Sequence, residues 1–245
     1  MSDVERAIRH LVVANRILAN EGVIDAYGHV SIRHPEHPDR FLLSRSRSPQ
    51  FVEIEDIREY ALDGTPTEVN GPAPYLERFI HGALYEARPD FTTVIHAHTE
   101  SVLPFTVTDV PLRAVVHDSS DIGATVPVWE IRDEFGDQTN MLVDDIAKGG
   151  SLAKTLGSGR VALMRGHGFV AGGPDLAMNV RMVVYMARNA HVQAVALQLG
   201  GGTLTPLSAG EIRGRRESEG LQPGSSAIQR SWEYFGERAG AADWL

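Results

Sequence analysis

Cysteine is absent from the 245 residues. That single absence excludes disulfides, thiolate metal sites and cysteine nucleophiles, so any metal must be held by His, Asp, Glu or water. No run approaches the roughly 18 to 20 apolar residues needed to span a bilayer. The opening segment MSDVERAIRHLVVANRILANEG interrupts its apolar residues with Asp3, Glu5, Arg6 and Arg9, which is not the charge order of a signal peptide. A cytoplasmic protein without a membrane partner is the expectation. Basic charge is also scarce, with 23 Lys plus Arg against 32 Asp plus Glu and a net charge of −9. A nucleic-acid partner is therefore not expected, because such binding depends on neutralising many phosphates. With 24 Gly and 13 Pro scattered along the chain and 42% hydrophobic residues, disorder is excluded as the default.

What is present reads as alternating helices and short strands. Val4, Ala7, Ile8, Leu11, Ala14 and Leu18 form one helical stripe over residues 3 to 21, with Gly22 as the stop. HVSIR (29 to 33) and RFLLS (40 to 44) read as strands joined by a Pro-rich turn, and SRSRSP follows as a further turn. A helix is expected from about Tyr75 to Ala87, then a buried strand TTVIHA from Thr92 to Ala97, and another strand from Val161 to Met164. Gly172-Gly173-Pro174-Asp175 opens a long helix reaching about Leu199, since proline is tolerated where no backbone N–H is needed. Two terminal helices are expected over 208–218 and 225–238. Nothing splits the chain, and the pattern indicates one α/β or α+β domain with helices around one sheet.

Ten histidines are present, and their positions matter more than their number. His96 and His98 form an H-x-H pair at the end of a strand, where side chains at i and i+2 share a face and two imidazoles can converge on one ion. From spacing alone the pair is equally compatible with two unrelated surface histidines. His167, between Gly166 and Gly168 in a turn after VALM, is the candidate third ligand, because flanking glycines allow a sharp turn and close approach. Three histidines with an open position suit a catalytic divalent ion rather than a closed structural one.

YLERFIHGALYEARPD, TTVIHAHTESV and VALMRGHGFVAGGPDLAMNV, in that order, resemble the class II aldolase/adducin family over about residues 4 to 200. The resemblance implies His96, His98 and His167 as metal ligands, Glu77 as the acidic residue beside them, and one divalent transition metal (Zn, Mn, Co or Fe) per subunit. It also implies an αβα fold around a mixed, largely antiparallel central sheet. The whole chain, 1–245, would be one catalytic domain in a homo-oligomer, with a tetramer favoured. The tail from about 205, carrying Trp232, Tyr234 and Trp244, would cover a neighbouring subunit or a pocket mouth.

The departures from the family point to a different substrate. Where family aldolases use Gly-Asn-x-Ser, this chain has Gly28-His29-Val30-Ser31, and where they use a glycine loop it has Ser44-Arg45-Ser46-Arg47. Such a loop cannot offer the same cradle of backbone N–H groups for a phosphate. Arg45 and Arg47 instead offer planar forks suited to carboxylates, unless they are solvated turn charges. His29 and Ser44 complete the candidate substrate-binding set. The tyrosine proton donor of the aldolases has no counterpart, and His117 stands nearest that role, histidine being a side chain suited to proton transfer near neutral pH. SRSRSP and VPVWEIRD resemble a decarboxylase branch of the family that acts on hydroxylated aromatic or pyridine dicarboxylates. The expectation is a metal-dependent decarboxylase of a small aromatic dicarboxylate, with Glu77 or His117 handling the proton that replaces CO2. A retro-aldol enzyme on a sugar-type substrate and a non-catalytic adducin-like scaffold are the alternatives. Met178, Met182 and Met186 are expected in the core. His10 and His34 are expected on the surface, His81 on the Glu77 helix, and His191 packed in the long helix.

Overall fold

The first helix, α1 (Asp3–Asn20), begins where a side chain can replace its missing hydrogen bonds. Ser2 accepts from the Glu5 N–H while the Glu5 carboxylate accepts from the Ser2 N–H, a reciprocal cap. The computed structural model describes residues 1–218 and 221–244. After α1 come strands β1 (His29–Arg33), β2 (Arg40–Ser44) and β3 (Ile57–Ala61), helix α2 (Arg78–Ala87) and strand β4 (Thr93–Ala97). Next are β5 (Val128–Trp129), α3 (Arg132–Phe135), α4 (Ile146–Leu156), β6 (Val161–Met164) and β7 (Gly168–Gly173). Helices α5 (Leu176–Leu199), α6 (Ala209–Ser218) and α7 (Ser226–Arg238) complete the order.

The seven strands form one sheet in the order β3-β2-β1-β4-β7-β6-β5. Every pairing is antiparallel except β5 with β6, so the sheet is mixed and largely antiparallel, as expected. Strand alternation gives it two apolar faces. Val30, Ile95, Leu163 and Ala171 pack with Leu11 and Ile17 of α1, Val183 and Met186 of α5, and Phe235 of α7. Leu43, Val94, Ala162 and Val170 pack with Ile80 and Leu84 of α2 and Leu152 and Leu156 of α4. The result is a single-domain three-layer αβα arrangement in which each face of the sheet is covered by helices. Among the described residues no helix is long and apolar enough to cross a membrane.

Several elements differ from the sequence expectation for identifiable reasons. Helix α2 starts at Arg78 rather than Tyr75, because the Tyr75 hydroxyl is held by the Arg47 carbonyl and the Glu77 carboxylate is engaged by the Val143 N–H, both across the fold. Helix α4 (IAKGGSLAKTL) was hidden by its paired glycines, and β7 (GFVAGG) by three. Strands β3 and β5 are edge strands, and β5 has only two residues. Met182 and Met186 are fully buried, His81 lies on α2, and His191 is exposed rather than packed. His34 is buried, its Nδ1 accepting from the Glu36 and His37 N–H groups.

The tail packs on its own chain. Trp232 is buried against the α1/α5 side, and the Trp244 ring lies under the Arg16 and Arg9 guanidiniums at 4.8 and 5.6 Å. Tyr234 remains 54% exposed. Residues 219, 220 and 245 of the tail lie outside the described residues.

Close contact on the α2 side also yields a stability prediction. A Cβ built at Gly82 would sit 1.9 Å from the Leu62 carbonyl oxygen, a backbone atom that cannot simply rotate away. Gly82→Ala should therefore destabilise the fold by about 1–3 kcal/mol, the usual cost of overpacking, despite alanine's better helix propensity. A urea midpoint equal to or above wild type would contradict this.

Candidate metal centre

The two middle strands of the sheet build the site. Val94 faces α2, so His96, two residues on, faces the same way, and His98 continues the line just past the strand end. Strand β7 pairs with β4 in the register His96↔Val170 and Ala97↔Phe169, which brings the β6–β7 turn alongside His98. That turn needs its glycines. Gly166 has φ +62, and a Cβ on Gly168 would lie 2.1 Å from the Ala97 carbonyl oxygen. Only a residue without a side chain lets His167 approach this closely.

The sequence-predicted ligands converge. His98 Nε2 lies 3.0 Å from His96 Nε2 and 3.0 Å from His167 Nε2. Glu77 Oε2 lies 3.5 Å from His96 Nε2 and 3.4 Å from His167 Nε2. All four ligand atoms fall within 4.8 Å of one another. Nitrogens at 2.0–2.1 Å from one tetrahedral ion would be about 3.3 Å apart, close to this spacing.

The supporting hydrogen bonds decide whether a cation fits. His96 Nδ1 faces the Phe169 carbonyl at 3.0 Å, and His167 Nδ1 faces the Met141 carbonyl at 2.9 Å. A carbonyl can only accept, so each Nδ1 carries the proton and, in the neutral ring, each Nε2 turns a lone pair inward. Two inward lone pairs, a third imidazole and a carboxylate form a donor set suited to a divalent metal, with outer-shell carbonyls holding the rings as metal-bound histidines require. Met141 adopts φ +64, an uncommon conformation for a non-glycine residue, and its carbonyl is the one that orients His167.

Electrostatics agree with the geometry. Burial pushes the Glu77 carboxyl upward, but the facing His96 and His167 rings outweigh it and hold the group well below the ordinary carboxylate range. Its Oε1 accepts from the Val143 N–H at 2.9 Å, leaving Oε2 toward the histidines. His98 is pushed down to about 4, first by burial and then by the neighbouring His96 and His167 rings. The centre thus sets an ionised carboxylate beside three imidazoles.

A cleft of about 360 Å³ opens in front of the centre, lined by Glu77, His98, His167, His29, Arg47 and Tyr75 among others. His29 and Arg47 are thus in contact with the same space as the ligands. Tyr27, 70% exposed, stands on its wall. Ser44 and Arg45 lie one layer behind. The buried Ser44 hydroxyl donates to the Tyr75 hydroxyl at 3.3 Å, and Arg45 Nε donates to Asp56 Oδ1 at 2.6 Å. His117 is not part of the cleft lining. It sits on a short 3-10 turn, 69% exposed, with Nε2 at 3.3 Å from Asp118.

Sequence reasoning missed Asp56, which holds both arginines of the SRSRSP turn. Its side chain is 6% exposed, and its Oδ2 accepts from Arg47 Nη1 at 2.5 Å and from the Glu53 N–H at 2.9 Å. Two guanidiniums thus share one carboxylate, and the cluster keeps net positive charge at the cleft wall. Burial raises the Asp56 carboxyl, yet the Glu53 N–H and the two arginines bring it below its ordinary value. A carboxyl depressed in the folded state contributes stability above its unfolded pKa of about 3.9 and loses it as pH falls through the folded value. Wild type should therefore lose more stability between pH 6 and pH 3 than Asp56→Asn does. Parallel urea midpoints across that range would show that the pairing contributes nothing.

A family model described as Class II Aldolase and Adducin N-terminal domain matches residues 9–194. The chain is 33% identical over 249 residues to decarboxylase tropJ of Talaromyces stipitatus, covering 93% of this chain and 92% of that protein. It is 26% identical over 227 residues to 3,4-dihydroxyphthalate decarboxylase of a Terrabacter species, covering 86% and 90% respectively. Its fold is similar to that of L-fuculose 1-phosphate aldolase from Glaciozyma antarctica, with a TM-score of 0.75 at 22% identity over 96% of this chain and 89% of that one.

Proposed function

Because this chain belongs to the class II aldolase and adducin family, we propose that it is a carbon–carbon lyase, and specifically a metal-dependent decarboxylase of a hydroxylated aromatic dicarboxylate. One observation carries the reading. The three-histidine, one-glutamate cluster shares its cleft with Arg47 and with the aromatic walls Tyr27 and Tyr75, a setting suited to a flat ring bearing carboxylates. Similarity to two decarboxylases across nearly their full lengths supports the reaction class.

The reaction breaks a C–CO2 bond and places a proton on the ring carbon. A divalent transition metal such as Zn, Mn, Co or Fe, held by His96, His98 and His167, would supply Lewis-acid stabilisation of charge on substrate oxygen. Arg47, with Arg45 braced behind it by Asp56, holds the second carboxylate. Tyr75 packs its ring 4.6 Å from that of His29 and closes the cleft floor. Glu77, kept ionised in the free site, takes the proton of the substrate hydroxyl and returns it to the ring carbon as CO2 leaves. Burial of Glu77 excludes competing water from that transfer.

The reading extends to the assembly. A cytoplasmic homo-oligomer, a tetramer in the favoured form, would let His117, exposed and outside its own cleft, serve a neighbour's. Residues 1–245 act as one catalytic domain, and the tail offers the exposed Tyr234 to that contact. Light scattering that finds only the mass of a single chain at micromolar concentration would remove the shared-site part.

The deciding experiment loads the protein with Zn or Mn and supplies 3,4-dihydroxyphthalate, measuring released CO2. Turnover is expected with metal and not after chelation. The fold likeness to L-fuculose 1-phosphate aldolase favours a second reading, aldol cleavage of a sugar phosphate. Aldehyde release from such a substrate, with no CO2 from the dicarboxylate, would establish that one instead. A protein that binds no metal at all would return the chain to the scaffold class.

A further inference from the structure

Behind the cleft lies a line of four polar side chains. His29 Nδ1 is 2.6 Å from His81 Nε2, His81 Nδ1 is 2.6 Å from Ser31 Oγ, and Ser31 Oγ is 2.7 Å from the Tyr85 hydroxyl. His81 and Ser31 are fully buried, Tyr85 is 1% exposed, and His29, 3% exposed, is the member that lines the cleft. Two secondary-structure periods interlock to make the line. His29 and Ser31 are i and i+2 on the α2-facing side of β1, while His81 and Tyr85 are i and i+4 on one face of α2.

The protons in such a line are not free to choose. Among the described residues Ser31 Oγ is the acceptor within hydrogen-bond reach of the buried Tyr85 hydroxyl, so that hydroxyl donates to it. The single Ser31 proton then goes to His81 Nδ1. With Nδ1 accepting, His81 is neutral with its proton on Nε2, and it donates to His29 Nδ1. His29, accepting at Nδ1, carries its proton on Nε2, the ring atom on the side away from His81.

We infer that Tyr85, Ser31 and His81 are positioning residues that lock His29 as the Nε2–H tautomer, giving the cleft a fixed donor for an anionic oxygen of the substrate beside the metal centre. The substrate part rests on the proposed reading of the cleft. The tautomer part does not. Reversing the line would leave the buried Tyr85 hydroxyl without an acceptor, and a buried unsatisfied donor is costly. The fixed donor favours an acceptor at that position and disfavours a neutral hydroxyl that must itself donate.

The test is magic-angle-spinning nitrogen NMR on the zinc-loaded protein labelled with 15N at histidine, with His29→Asn and His81→Asn used to assign the two residues. Both are expected in a single form, protonated at Nε2 and bare at Nδ1. His29 protonated at Nδ1 would overturn the inference. In Ser31→Ala the donor to His81 is gone, so a second His29 tautomer should appear. A single unchanged form there would show that the line does not set the tautomer. Adding 3,4-dihydroxyphthalate should move the His29 Nε2 resonance more than the His81 Nε2 resonance, and equal or absent shifts would overturn the donor role. The tautomer is read without turnover, so a failed decarboxylase assay and a failed lock are distinct results.

Discussion

His96→Ala and His167→Ala should each lose most of the bound metal and essentially all turnover while far-ultraviolet circular dichroism remains that of the wild type. Each removes a nitrogen that faces the other ligands at 3.0 Å, yet neither removes much of the apolar packing. The loss should exceed the roughly 10- to 100-fold in metal affinity that follows from disturbing an outer-shell partner alone. The fold should survive because β4 and β7 are joined by five register pairs that do not involve these imidazoles. Elemental analysis giving wild-type metal content in both variants would remove the assignment of the centre.

Arg47→Ala should raise the KM for an aromatic dicarboxylate by roughly 10- to 150-fold, since a hydrogen bond to a charged group contributes about 1.5–3 kcal/mol. Metal content should not change, because Arg47 pairs with Asp56 and touches no ligand. The same change should leave a monocarboxylate analogue nearly unaffected, as the lost contact was never made to it. Arg45→Ala should have a smaller effect on KM. Arg45 is not among the residues lining the cleft and acts through Asp56, which both guanidiniums share. If Arg47→Ala handles the dicarboxylate as wild type does, the arginine turn is only a surface feature and a sugar-derived substrate regains its standing.

The residues legible in the sequence were those whose relation is local or whose motif is ordered along the chain. His96-x-His98 shows its shared face through strand period alone, and His167 announces itself through its flanking glycines. Glu77 came with the family resemblance rather than from any periodicity. Asp56 was not legible, since nothing in SRSRSPQFVEIED says which acidic residue the turn folds back to meet. His81 looked like an ordinary helical position, and only the pairing of β1 against β4 on the α2 side shows that it meets His29. Strand β7 escaped notice because its glycines, which serve close backbone approach, erase the apolar alternation that marks a strand. The segment 141–143 has no signature at all, although its backbone holds both His167 and Glu77.

The β4–β7 ladder has a consequence for how the protein would age in use. In small zinc domains the ion gathers its ligands and folding waits for it. Here the backbone ladder that sets His96 opposite Val170 and Ala97 opposite Phe169, and so brings the turn carrying His167 alongside, draws on no metal bond. Demetallated molecules should therefore be dormant rather than damaged, with neither chaperone nor resynthesis needed for their recovery. The working fraction of a population would track the supply of ion around it, rising again as soon as that supply returned.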